Sequence, residues 1–184
     1  MPSRTSSPAP CAHARRHTPV SPATERRRSW GRRFATVGRM TIQRLENVGI
    51  VVDDLAAATA FFVELGLKLL GGGPVEGDWV DRVVGLEGVR VDVAMLETLD
   101  GHGRLELIKF HAPTARGGDR HAPANTLGIR RIAFAVDDID AAVAGLQARG
   151  AELVGGVERY EDSYRLCYVR GPEGIIVMLA EQTG

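Results

Sequence analysis

Two charged residues of this sequence, Glu106 and Arg131, have side chains of types that could do chemistry. Glu106 lies in the segment RLELI, and Arg131 begins the segment RIAFAV. A carboxylate can act as a general base or orient a polar ligand, whereas a guanidinium can bind an oxyanion or stabilise an enolate. The sequence contains no Ser-His-Asp or Cys-His arrangement and no phosphate-cradling P-loop, so neither nucleophilic nor nucleotide chemistry is indicated.

An internal repeat places Arg131 at the head of the second of two matching segments. Residues 47–72 align without a gap on residues 131–156, so that an aspartate pair and three glycines coincide. Each copy opens with an alternating apolar run, typical of a strand, and continues with a helical pattern that an aspartate can cap and a glycine can end. Further strands are predicted at 67–70, 89–96 and 104–110 in the first copy and at 151–154, 165–170 and 174–180 in the second. The sequence therefore predicts a βαβββ unit that occurs twice.

The alternation within the opening strands predicts which face of each strand meets the helix. Bulky residues occupy the even positions of 48–52 and 132–136, and they should pack against the helices. The odd positions carry small residues and begin with Asn47 in one copy and Arg131 in the other. Such a face is typical of a sheet that lines a cavity, but small residues that only permit tight packing would give the same pattern.

The net charge of zero conceals two unlike segments. Residues 1–40 carry nine arginines and one acid, a net charge of +8, and the remainder carries 14 bases and 22 acids, a net charge of −8. An acidic folded part is a poor nucleic-acid binder. We interpret residues 1–40 as a disordered Arg/Ser/Pro-rich tail. A passive tail or a start codon placed too early, with Met40 as the true beginning, is favoured over a transit-like peptide or a nucleic-acid arm.

Cysteine content and hydropathy indicate the compartment. Cys11 and Cys167 form neither a disulfide framework nor a CxxC metal site, which favours a reducing cytoplasm. No apolar run approaches the roughly 18 residues that a membrane span needs, so no membrane partner is expected for the folded domain of residues 41–184.

The openings VGIVVDDL and IAFAVDDI, the segment RLELI and the ending GPEGIIVMLAE resemble segments of the vicinal oxygen chelate superfamily. This superfamily includes glyoxalase I, methylmalonyl-CoA epimerase, extradiol dioxygenases, and the bleomycin and fosfomycin resistance proteins. The resemblance covers about residues 42–182. It implies an α/β fold of two paired βαβββ modules, about 42–112 and 127–182, whose eight-stranded curved mixed sheet surrounds a concave pocket. It also implies a homodimer, but it is weak for the reaction, because many chemistries share this scaffold.

The metal-dependent members of this superfamily hold one divalent metal with four side chains of the sheet. The resemblance places these positions at Asn47, Glu106, Arg131 and Met178, of which only Glu106 is a usual ligand. Arg131 has no lone pair to donate and is always protonated. At about 4 Å and an effective dielectric constant of about 20, it would repel a dication by roughly 8 kcal/mol. We therefore expect no cofactor, with a divalent metal disfavoured and Arg131 in the place of the ion.

Two loops supply further candidate ligand contacts. In the segment GGGPVEGDWVDRVVGL, Trp79 can stack on a ligand or plug the loop onto the core, and Arg82 is either a ligand contact or a surface base. In the segment ERYEDSYRLCYV, Tyr160, Tyr164 and Arg165 can form a second rim by the symmetry of the repeat. Tyrosine and arginine are also common at subunit contacts, so that interpretation stays open.

Three functions are compatible with these residues. The first is a metal-free small-molecule binder, similar to the resistance proteins, that uses Asn47, Trp79, Glu106, Arg131 and Met178 and takes a carboxylate or another oxyanion. The second is an enzyme: a lyase, isomerase or epimerase resembling glyoxalase I or methylmalonyl-CoA epimerase, or a dioxygenase-like metalloenzyme, with a relocated metal or with Arg131 as the electrophile. The third is a degenerate module that serves assembly, its pocket filled by a Glu106–Arg131 ion pair.

Overall fold

Nine strands and three α-helices make up residues 42–184, the part of the chain that the computed structural model describes. The tail interpretation of residues 1–40 lies outside these described residues. In chain order the elements are β1 (Val48–Val51), α1 (Leu55–Glu64), β2 (Lys68–Glu76), α2 (Asp78–Val84), β3 (Arg90–Glu97), β4 (Arg104–Ala112), β5 (Ile132–Val136), α3 (Ile139–Gln147), β6 (Glu152–Leu153), β7 (Glu158–Tyr160), β8 (Tyr164–Arg170) and β9 (Ile176–Gln182), with a 3-10 turn at Pro172–Gly174.

The strands form one sheet for each copy of the repeat. The first sheet has the order β1-β4-β3-β2, and the second has the order β5-β9-β8-β6 with β7 paired to β8. The opening strand of each copy runs parallel to the last one, and the other neighbours are antiparallel. The α/β class and the paired βαβββ modules are confirmed. The strands lie in two hydrogen-bonded sheets, however, rather than in one continuous eight-stranded sheet, and β7 is an additional strand.

The helix ends follow the sequence prediction. The Asp54 carboxylate accepts a hydrogen bond from the backbone N–H of Ala57, and Asp138 accepts one from Ala141, each at 2.9 Å. Gly66 follows α1 with a φ of 102°, in the left-handed region that favours glycine. These local signals fix where α1 and α3 begin and where α1 ends.

One apolar core joins the two modules through their helices. The side chains of Phe62 in α1, and of Ile139 and Leu146 in α3, are fully buried in it. The Phe62 ring meets the Phe134 ring of β5 edge-on, with the ring centroids 6.4 Å apart. The residues on the predicted inward faces of β1 and β5 pack against this core, namely Val48, Ile50, Ile132, Phe134 and Val136. The residues on the opposite faces are exposed, namely Gly49, Val51, Ala133 and Ala135.

The segment predicted as a loop after the second strand is instead ordered secondary structure. Residues 71–76 extend β2 along β3, and α2 follows directly. Gly72 approaches β3 so closely that a Cβ atom would lie 2.0 Å from the carbonyl oxygen of Val93. Because β2 is an edge strand, it accommodates the glycines and Pro74 that would interrupt a central strand.

A turn of the second module clasps the first module. The Glu173 carboxylate accepts hydrogen bonds from the backbone N–H groups of Asp53 and Asp54, at 3.2 and 3.4 Å, directly before α1. Its other oxygen pairs with Arg120 of the inter-module linker at 2.5 Å. The Glu173 carboxylate therefore connects the second module to the first module and to the linker.

Within residues 42–184, the helices are too short or too polar to cross a membrane.

Candidate functional site

The candidate site lies on the face of each sheet opposite the shared core, which we call the open face. On the first sheet, Gly49 of β1 and Met95 of β3 flank Glu106 of β4 in register. Residues opposite each other in neighbouring strands point to the same face. Asn47 precedes Gly49 by two residues and therefore belongs to the same face.

Asn47 and Glu106 are hydrogen-bonded to each other on this face. The Asn47 Nδ2 atom donates to the Glu106 Oε2 atom at 3.1 Å, and both residues are half-buried. Among residues 42–184, no Arg, Lys or His nitrogen lies within 4.0 Å of the Glu106 carboxylate. Glu106 is therefore an acceptor oriented by a neutral amide, with its second oxygen available to a ligand.

The open face of the first sheet is polar at one end. Arg104 donates to Glu97 at 2.8 Å and to Glu46 at 3.2 Å, so that one guanidinium joins β4, β3 and the segment before β1. The Arg44 guanidinium, which donates to Glu46 at 2.6 Å, holds the pKa of that carboxyl below its usual value. This end of the face is therefore an ionised network.

The other end of the same face is apolar and is covered by α2. Val80 of α2 is 5% exposed and packs with Val89 and Val91 at the start of β3. Trp79 is 58% exposed, so the interpretation of this side chain as a plug is wrong: the anchor is its neighbour Val80. Trp79 and Arg82 lie on the exposed surface of α2, where both remain candidate ligand contacts.

On the second sheet, Arg131 stacks on an aromatic ring. Its Cζ atom lies 5.3 Å from the centroid of the Tyr168 ring, a cation–π geometry. Met178 of β9 lies in register between Ala133 of β5 and Tyr168 of β8, and it is half-buried. The sequence analysis did not select Tyr168, although its alternation with Tyr164 along β8 places both on one face.

The ion pair between Glu106 and Arg131 is not formed. Within residues 42–184, no carboxylate oxygen lies within 4.0 Å of the Arg131 guanidinium. Each residue instead has a partner within its own module, Asn47 for Glu106 and Tyr168 for Arg131. The hypothesis of a pocket filled by this ion pair is therefore wrong.

The predicted second rim divides between the two faces of its strand. Tyr160 and Tyr164 are cross-strand partners in the β7–β8 hairpin, and they are 59% and 38% exposed. Arg165 belongs to the opposite face, where it donates to Asp140 at 2.7 and 2.8 Å and to Glu181 at 3.1 Å. The hydrogen bonds from Arg165 hold the pKa of Asp140 below its usual value. Because successive side chains alternate along a strand, Arg165 fastens α3 to the second sheet and is not part of the rim.

Two grooves adjoin Arg131. One, of about 540 Å³, is lined by residues 124–131 and by Ala133. The other, of about 290 Å³, is lined by β1, by residues 129–132 and by residues 173–176, and thus lies where the two modules meet. Both grooves are open to solvent, and of the candidate site residues only Arg131 lines them.

The residues at the four positions expected to hold a metal do not fit a divalent ion. Arg131 is a cation without a lone pair, Met178 offers a soft thioether, and the Asn47 amide donates its hydrogen to Glu106. Among residues 42–184, no three His, Cys, Asp or Glu side chains are grouped so that they could hold a metal elsewhere.

The chain is similar to a protein family and to several individual proteins. Residues 46–168 match the Glyoxalase/Bleomycin resistance protein/Dioxygenase superfamily. A glyoxalase family protein from Bacillus cereus, known from a crystal structure, is 50% identical in sequence to this chain. The two structures match with a TM-score of 0.77 over 80% of this chain and 99% of that one. The uncharacterized protein YaeR of Escherichia coli (strain K12) is 29% identical over 77% of this chain and 98% of its own length. TnmS3, an antibiotic binding protein from Streptomyces sp. CB03234, shares the fold at 21% identity, with a TM-score of 0.51 over 78% of this chain and 98% of that one.

Proposed function

The chain belongs to the Glyoxalase/Bleomycin resistance protein/Dioxygenase superfamily, and we propose that it binds a small organic molecule on the open faces of its sheets without a metal. The observation that carries this proposal is the replacement of the metal-binding donors. Asn47 and Glu106 are hydrogen-bonded to each other, and the Arg131 guanidinium, which is stacked on Tyr168, occupies another of the four ligand positions. A site built in this way recognises its ligand through hydrogen bonds, charge and stacking.

The side chains of the second sheet favour a ligand with an apolar part and an anionic group. The Tyr168 ring and the Met178 thioether offer apolar, polarisable surface, and Arg131 offers a bidentate donor for a carboxylate or another oxyanion. Trp79, Arg82 and Tyr164 are candidate rim contacts. The antibiotic binding protein TnmS3 is an example of the same fold in a binding role.

A homodimer is part of this proposal. Two aliphatic residues that precede β1 are largely exposed in the single chain, namely Ile42 at 89% and Leu45 at 74%. Such a set on a monomer favours burial by a second copy. The buried free thiol of Cys167 suits a reducing location such as the cytoplasm.

The first test is the metal content of protein purified without a metal-affinity tag. Elemental mass spectrometry is applied to the parent, to Arg131→His and to Arg159→His, a control at an exposed arginine of β7. We expect near-zero divalent metal in the parent and the control, with uptake in Arg131→His. About one equivalent in the parent refutes the metal-free proposal.

A second test separates binding from turnover. We expect small-molecule screening by thermal shift to yield ligands that the protein does not transform. Exchange of a substrate proton with solvent, or conversion of a glyoxalase substrate, would instead support the lyase, isomerase or epimerase alternative.

A further inference from the structure

Three arginines, Arg130, Arg131 and Arg170, gather where β5 begins and β8 ends. We propose that they form a subsite for an oxyanion, a carboxylate or phosphonate group of the ligand. The inference rests on the proposed function, because it names the chemical class of the molecule that the open face receives and adds two residues to the site.

The sheet register places two of these arginines on one face. Arg170 of β8 lies opposite Ile176 of β9. The pairing of Ile132 with Val177 places Arg131 beside the same Ile176 on the other side. Arg131 and Arg170 therefore flank Ile176 on the open face, one strand away from it in each direction.

The third arginine converges on the second through a shared acceptor. The Nη2 atoms of Arg130 and Arg170 both donate to the carbonyl oxygen of Ala122, at 3.2 and 3.1 Å. The two nitrogens are consequently no more than roughly 6 Å apart, a separation at which like charges in a partly buried place repel each other. A bound anion would relieve that repulsion.

These guanidinium groups lack the counter-charges that comparable arginines have. Four arginines are half-buried in residues 42–184. Arg104 and Arg165 each pair with two carboxylates. Arg130 and Arg170 have no carboxylate oxygen within 4.0 Å among these residues. A half-buried cation without a counter-charge is unfavourable, and a bound oxyanion would supply the missing charge.

A groove gives an oxyanion access to the cluster. Arg130 and Arg131 both line the groove of about 540 Å³, whose wall also carries the polar side chains of Asn125 and Thr126. The Nε atom of Arg130 is buried and has no hydrogen-bond partner among the described residues. Arg170 does not line this groove but lines a separate one beside residues 149–152 and 171–174, and it is joined to Arg130 through Ala122, so that its charge acts on the oxyanion only through space.

The competing explanation is structural: Arg130 and Arg170 only hold backbone carbonyl groups in place, that of Ala122 for both and those of Arg120 and Gly174 for Arg170 as well. That role needs hydrogen-bond donors but no ligand, and it gives no function to the exposed charge of Arg131. The two explanations differ in what the folded protein binds.

The experiment is isothermal titration calorimetry of the full chain with a matched probe set at constant ionic strength. Phenylphosphonate and benzoate carry an anion on an aromatic ring, and benzamide is their neutral counterpart. We expect both anions to bind at least tenfold more tightly than benzamide. Equal or weaker anion binding overturns the subsite. If a neutral compound from the ligand screen still binds, the proposed function survives that failure; if nothing binds, both proposals fall.

Variants assign the effect to the cluster. Arg131→Gln should weaken anion binding at least tenfold more than it weakens benzamide binding, and Arg131→Lys should restore part of the loss because the charge returns without the bidentate geometry. Arg159→Gln is the matched control and should change nothing. Arg170→Gln and Arg170→Lys are compared after circular dichroism has shown that each is folded. Anion affinity at the parent level in a folded Arg170→Gln excludes Arg170, and the same result in Arg131→Gln overturns the proposal.

Discussion

Glu173 should be the acid whose loss most weakens the association of the two modules. Its side chain is 16% exposed, and it accepts two backbone N–H groups while pairing with Arg120. The Arg120 side chain is 59% exposed, so solvent screens the ion pair, and we assign it at most about 1 kcal/mol. The two hydrogen bonds that Glu173 accepts from backbone N–H groups, together with the lost packing, add about 1–2 kcal/mol. We therefore expect Glu173→Ala to lower the free energy of unfolding by about 2–3 kcal/mol.

A second substitution separates the two contributions. Glu173→Gln keeps an oxygen acceptor for the amides of Asp53 and Asp54 and loses the charge, so the expected loss is about 1 kcal/mol or less. Both variants keep a side chain at a φ of 56°, so the backbone constraint stays the same.

Urea unfolding monitored by circular dichroism measures both losses. The midpoint should move and the slope should stay constant, because the surface exposed on unfolding does not change. Glu87→Ala, at an exposed loop position, is the control and should stay within about 0.5 kcal/mol of the parent. If Glu173→Ala is as mild as this control, or if Glu173→Gln costs as much as Glu173→Ala, the assignment of energies is refuted.

Three further outcomes are expected. Gly174→Ala should cost about 2–4 kcal/mol in urea unfolding, because the new Cβ atom would lie 2.3 Å from the carbonyl oxygen of Arg120 at a φ of 77°; a neutral result would mean that the linker moves aside freely. Asp54→Ala should cost about 1 kcal/mol through loss of the α1 cap, whereas Asp53→Ala should be nearly neutral, and equal losses would contradict the capping role. Burial raises the pKa of the Cys167 thiol. The stability that the buried neutral thiol contributes is therefore complete below the unfolded-state pKa of about 8.5 and is lost as pH rises through the folded-state pKa. The Cys167 thiol should therefore resist alkylation in the native protein at pH 8 and react in urea, as mass spectrometry of its tryptic peptide would show. Rapid alkylation of the native protein would contradict the burial.

The repeat and its local signals could be predicted because they depend on neighbouring residues. Asp54 and Asp138 cap helices through backbone groups three residues away, which any chain with this spacing can do. The alternation of bulky and small residues likewise determined which face of β1 and of β5 meets the core. The fold class followed from these local features together with the family resemblance.

Residues 71–76 of β2 were predicted as a loop because glycines and proline are typical of loops. Their backbone is acceptable only where one side of the strand has no partner, and that depends on the position of β2 in the finished sheet. The plug interpretation of Trp79 failed for a related reason, since Val80 anchors α2 instead. The direction of α2, rather than the size of a side chain, decides which residue is buried.

The sequence by itself identified the residues of the candidate site but not their partners. It indicated that Asn47 and Arg131 occupy equivalent positions of two copies, since that is a matter of spacing, and the family resemblance added Glu106. Only the tertiary structure decided that Glu106 bonds to Asn47 and that Arg131 stacks on Tyr168. The physical reason is that an ion pair needs its two charged groups to approach within a few ångströms, and the relative placement of two separate sheets sets that distance, whereas the pattern within one strand does not.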